Sequence, residues 1–103
     1  MNQISRIEEM EKCLDVSAGA VSKMTKALDE YEAVLKSYKK LSDYYGSARW
    51  MKDFEDDEAG KLPSDLKRGV LSEDAVYDLI QDFRALQIRM MKLVGLSMEK
   101  NLI

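Results

Sequence analysis

Histidine is absent from these 103 residues, and cysteine and proline occur once each, as Cys13 and Pro63. Without imidazole there is no histidine general base and no His-containing metal site. A single thiol excludes an internal disulfide and a cysteine zinc cluster. Five glycines and one proline are too few for a loop-rich or disordered chain. No long uncharged apolar run occurs, so no segment is expected to span a membrane. Neither sign of charge dominates: 16 basic and 19 acidic residues give a net charge of −3, spread evenly along the chain. With no basic face to neutralise phosphates, nucleic-acid binding is not expected. Faces of mixed charge also suit anionic lipid poorly. The first ten residues carry Arg6, Glu8 and Glu9 and no apolar stretch of an export signal, so a cytoplasmic location is expected.

What is present is heptad periodicity. Ile7, Leu14, Val21, Leu28 and Leu35 repeat every seven residues. Met10, Met24, Tyr31, Tyr38 and Tyr45 follow three residues behind, with Ser17 the one polar member. This is the a/d seam of a coiled coil, and it predicts one helix over about residues 2–45. Such a helix would be about 60 Å long at 1.5 Å per residue. Its weak point is Ser17-Ala18-Gly19-Ala20, which allows either a bend or a close partner backbone. Gly46 should end the helix and Ser47 should cap a short one, about Ala48 to Glu58, ended by Gly60. Leu62-Pro63 reads as extended, and Ser64-Asp65-Leu66-Lys67 as one helical turn closed by Gly69. Ser72 is a good cap for a last helix over about 73–100, with Glu73 and Asp74 in its first turn. Val76, Phe83 and Met90 form its stripe with Leu79, Leu86 and Leu93, widened by Ile80 and Val94.

Two seamed helices joined by a connector over about 47–71 predict an all-α single domain. The expected form is a long antiparallel helical hairpin, coiled-coil-like, with a short helix and turn in the connector. Placing Tyr45 beside Val76 sets Tyr38 against Phe83, Leu35 against Leu86, Tyr31 against Met90 and Leu28 against Leu93. The first 17 residues then overhang, yet Ile4, Ile7, Met10 and Leu14 continue the apolar stripe there. Such a stripe needs a cover. A second copy, giving a homodimer, is the expected one. Folding back near Gly19 and a different protein partner are the alternatives.

The acidic run Asp53, Glu55, Asp56, Asp57 and Glu58 invites a metal reading. Tested as a calcium loop with Gly60 at its sixth position, it places Ala59 fifth and Leu66 twelfth, so the bidentate glutamate is missing. A solvated acidic face answered by Lys52, Lys61, Lys67 or Arg68 is the plainer reading. No metal, cofactor or catalytic residue is therefore assigned. Trp50 and Phe54, four apart, share a helix face beside Tyr44 and Tyr45. They predict an apolar cap whose tryptophan N–H needs a partner, such as a neighbouring aspartate. Tyr31, Tyr38 and Tyr45 read as core. Met90, Met91 and Met98 read as core filler or a soft binding tail. Cys13 lies off the seam as an inert thiol. No Gly-rich phosphate loop or nucleophile elbow is present.

The strings Tyr44-Tyr45-Gly46-Ser47 and Gly69-Val70-Leu71-Ser72-Glu73-Asp74, with Trp50, Asp53, Glu55, Gly60, Leu62-Pro63 and Asp65-Leu66, resemble a family of small bacterial proteins. That family is domain of unknown function 4298. The likeness extends to Arg6-Ile7-Glu8-Glu9-Met10-Glu11 at the start and Arg84-Ala85-Leu86 towards the end. It implies a bacterial, intracellular helical protein with no assigned activity and no catalytic residues to carry over. Its signature lies in the connector and its flanks.

The expected function is a non-enzymatic protein–protein interaction or adaptor module that self-associates, its protein partner unidentified. The candidate interaction surface is Tyr44, Tyr45, Trp50, Asp53, Asp57 and Arg68. The candidate self-association residues are Ile4, Ile7, Met10 and Leu14. The alternative is a small metal-dependent carboxylate enzyme or ligand-binding protein built on Asp53, Asp57, Asp65 and Tyr44.

Overall fold

The computed structural model describes residues 2–100. The fold is all-α. A long helix α1 spans Gln3–Tyr44, a short helix α2 spans Ala48–Glu58, and α3 spans Ala75–Glu99. A 3₁₀ turn, Gly69–Leu71, precedes α3. No strand occurs among the described residues. The chain divides into two compact units, the first ending at Tyr38 and the second beginning at Lys39.

The first unit is helix alone. α1 runs unbroken through Ser17-Ala18-Gly19-Ala20, so the fold-back at Gly19 does not occur. A single glycine costs a helix about 1 kcal/mol, which 42 residues of good helix formers absorb. Asn2 opens it, its side-chain oxygen accepting the Ser5 N–H at 2.7 Å. No residue of α1 is buried.

The second unit begins with the last turn of α1. Gly46, at φ +81°, ends the helix in the left-handed region. Ser47 then works in both directions: its hydroxyl donates to the Tyr44 carbonyl at 2.6 Å and accepts the Trp50 N–H at 3.2 Å. One side chain thus closes α1 and opens α2. The end of α2 is a Schellman turn around Gly60 at φ +71°. The Lys61 N–H reaches the Asp56 carbonyl at 2.9 Å, and the Gly60 N–H reaches Asp57 at 3.0 Å.

Two elements are displaced from their expected places. Residues 64–67 make only a turn, with the Leu66 N–H on the Pro63 carbonyl at 3.2 Å. The helical geometry falls instead on Gly69–Leu71. Arg68 anchors the 64–67 turn from its C-terminal side, its guanidinium donating to the Pro63 and Leu66 carbonyls. α3 starts at Ala75, two residues later than expected. The Ser72 N–H and hydroxyl both still bind the Gly69 carbonyl, at 3.2 and 2.8 Å, closing the 3₁₀ turn. The Ser72 oxygen nonetheless caps, accepting the Ala75 N–H at 3.2 Å.

The buried core is small and lies wholly in this unit: Trp50, Leu71 and Val76. The start of α3 sits beside the end of α1, where the Tyr45 hydroxyl donates to the Glu73 carbonyl at 3.3 Å. Among the described residues no helix is long and apolar enough to cross a membrane.

Candidate functional site

Trp50, Asp53, Phe54 and Asp57 fall at i, i+3, i+4 and i+7 of α2, so one face of this 11-residue helix carries all four. The Trp50 ring stacks on Phe54, centroids 5.2 Å apart and planes 18° apart. Tyr45 meets it edge-on at 5.3 Å and 71°. Offset stacking and edge contacts are the arrangements that the ring quadrupoles favour. The indole N–H donates to the Val70 carbonyl at 2.9 Å. The expected aspartate partner is therefore replaced by backbone of the return segment 69–71, and Asp53 is engaged elsewhere.

Two polar contacts flank this aromatic centre. On one side the Tyr44 hydroxyl donates to Asp53 Oδ2 at 2.6 Å. That hydrogen bond, with some burial and the carboxylate's charge, pushes the Tyr44 phenol up from 10.0 to about 12. On the other side Arg68 pairs with Asp57. The same guanidinium donates to the carbonyls of Pro63 and Leu66, the latter at 3.3 Å. One cation therefore ties the Leu62–Leu66 loop to α2. Asp56 takes Lys52 at 3.1 Å and Lys61 at 3.9 Å. The acidic run is thus answered by Lys52, Lys61 and Arg68 of the four expected cations.

All six candidate surface residues meet in this connector, as the pairs Tyr44–Asp53 and Asp57–Arg68 about Tyr45 and Trp50. Their contacts point inward. Trp50 is buried, Tyr44, Tyr45, Asp53, Asp57 and Arg68 are half-buried, and every buried polar side-chain atom among the described residues has a partner. Residues outside that set complete the structure: Leu71 and Val76 in the core, Ser47 as double cap, and the carbonyls of Val70, Pro63 and Leu66 as acceptors. Val70-Leu71, an apolar pair between Pro63 and Ser72, is the sequence signal for the segment whose backbone meets Trp50. The carbonyl acceptors left no mark in side-chain identity.

Chemically, the polar side chains of the connector named above are engaged with one another or with backbone carbonyls. Tyr44 stays a protonated donor at neutral pH. Among the described residues no group of three or more His, Cys, Asp and Glu converges to hold a metal ion. A shallow cleft of about 400 Å³ beside the connector is lined by Leu41, Lys67, Val70, Val76 and Leu79. The four self-association candidates lie elsewhere, in the first unit. Ile4, Ile7, Met10 and Leu14 all stand exposed along α1.

The fold and site define an all-α chain whose core is a tryptophan-anchored connector joining helices that bury little of their apolar stripes. The chain matches DUF4298, a domain of unknown function, over residues 7–93, and it belongs to that family. No curated protein and no solved structure matches it.

Proposed function

We propose that this chain is a non-enzymatic helical protein–protein interaction module of the bacterial cytoplasm that works as a self-associated pair. The observation that carries this reading is the seam of α1: Ile4, Ile7, Met10 and Leu14 are exposed on a helix with no buried residue. A contiguous apolar stripe of this kind marks an interaction surface. The non-enzymatic part is supported by the connector, where Asp53, Asp56 and Asp57 are each committed to a partner. The connector's task in this reading is to set the ends of α1 and α3, leaving the α1 seam for association.

The test is sedimentation equilibrium of the full chain and of Leu14→Glu. Wild type should have twice the chain mass. Burying one leucine is worth about 1.5–3 kcal/mol, and the variant also forces a charge into the seam on both sides. Its dimer should weaken at least ~100-fold at one tenfold per 1.4 kcal/mol, with far-UV helicity kept. A wild type that stays monomeric at high micromolar concentration would sink the reading.

A further inference from the structure

Resting on that self-association, we infer that the second copy lies antiparallel on the first, over residues 3–28 of α1. The two-fold axis passes beside the Asp15–Val16 peptide. Ile7 then faces the partner's Met24, Met10 the partner's Val21, and Leu14 the partner's Ser17.

Three observations converge on that midpoint. The first is the exposure profile along the seam. Ile4, Ile7, Met10, Leu14, Val21 and Met24, on or beside the seam, are 52–68% exposed, against 46% at Leu28 and 37% at Leu35, with Tyr31 and Tyr38 half-buried. The uncovered stretch therefore ends near Leu28. At 1.5 Å per residue it is about 39 Å long, and its centre falls between residues 15 and 16.

The second is charge. Residues 3–15 carry Arg6 and Lys12 against Glu8, Glu9, Glu11 and Asp15, net −2. Residues 16–28 carry Lys23 and Lys26 and no acid, net +2. The sign inverts at that same centre. An antiparallel copy lays each acidic half along a basic half at a helix spacing of about 8–10 Å, within a Debye length. A parallel copy sets like on like. It would gain Arg6 beside the partner's Glu11, but a single exposed ion pair contributes little.

The third is size. Cys13, Ser17, Ala18 and Ala20 cluster about the axis on or beside the seam. The antiparallel register sets small Ser17 against the partner's large Leu14, filling each layer as packed cores require. The parallel register stacks serine on serine and leaves a void there. Gly19 points away from the seam, and a Cβ on it would meet nothing within 4 Å.

Disulfide trapping in a Cys13→Ser background tests the register. The Ile7→Cys chain and the Met24→Cys chain are oxidised alone and after mixing and re-equilibration under reducing conditions. A disulfide needs Cα atoms within about 7 Å. The inference expects covalent dimer from the mixture only, since residue 7 meets residue 24 and neither meets itself. Covalent dimer from the Met24→Cys chain alone overturns it in favour of a parallel pair. No covalent dimer in any sample, from chains that sediment as dimers, overturns the register while self-association stands. Monomeric wild type overturns both. If either cysteine dissociates the pair, Met10→Cys and Val21→Cys repeat the test one layer nearer the axis, with the same outcomes.

Discussion

The Tyr44 hydroxyl donates to Asp53 Oδ2, and that single contact makes the connector sensitive to alkali. With its phenol at about 12 in the folded chain against an ordinary 10, Tyr44 favours folding in full below about pH 10. That contribution is lost as pH rises through 12, because the unfolded chain releases the proton first. The phenolate absorbance of wild type minus Tyr44→Phe should therefore titrate near 12. In Asp53→Asn the same difference should move towards 10. A difference that titrates at 10 in both proteins would mean that the Tyr44–Asp53 contact does not form in solution. The residue pattern placed Tyr44 just before the short helix that carries Asp53 and grouped both in one candidate surface. It could not show that Asp53 would serve Tyr44 and leave Trp50 to a backbone carbonyl, because carbonyl positions depend on how segment 69–71 returns.

At the scale of elements, glycines divide by backbone angle. Gly60 holds α2's last turn at φ +71°, where an L side chain costs about 1–2 kcal/mol. Gly19 sits inside α1 with open space around it, so alanine there should gain about 1 kcal/mol of helix stability. Chemical denaturation of the full chain should show Gly60→Ala destabilised and Gly19→Ala stabilised, an opposition that neither cavity filling nor general hydrophobicity produces. Equal and same-signed shifts would refute the assignment of Gly60 to the Schellman turn. The bounds of α1 and α2 were legible because their signals are local: heptads, Ser47 as cap, Gly46 and Gly60 as stops. The turn at 64–67 and the start of α3 lie elsewhere than the residue pattern places them: Arg68 takes the Pro63 and Leu66 carbonyls, and Ser72 closes the 3₁₀ turn on the Gly69 carbonyl while capping α3.

For the whole molecule, the two units carry different loads. The contacts of Trp50 with Tyr45, Phe54 and the Val70 carbonyl lie between residues 39 and 100. The exposed seam of Ile4, Ile7, Met10 and Leu14 lies before residue 39. Dissociating the proposed pair with Leu14→Glu should therefore leave Trp50 emission as blue-shifted as in wild type. Denaturant should shift it red in both proteins. A red shift on dissociation alone would show that the connector core depends on the partner copy.

The amino-acid sequence by itself determined the all-α class, the long first helix, the short capped α2 and the family, since each rests on periodicity, local capping or a contiguous string of residues. It also singled out the six residues that meet in the connector and the apolar stripe at the start of α1. Only the tertiary structure decided which partners their side chains take. Trp50 is an interior anchor, Asp53 holds a phenol, and Arg68 binds one carboxylate and two carbonyls. The reason is that side-chain spacing along a helix is set within the helix, whereas a hydrogen bond to a returning backbone exists only once the chain has closed on itself.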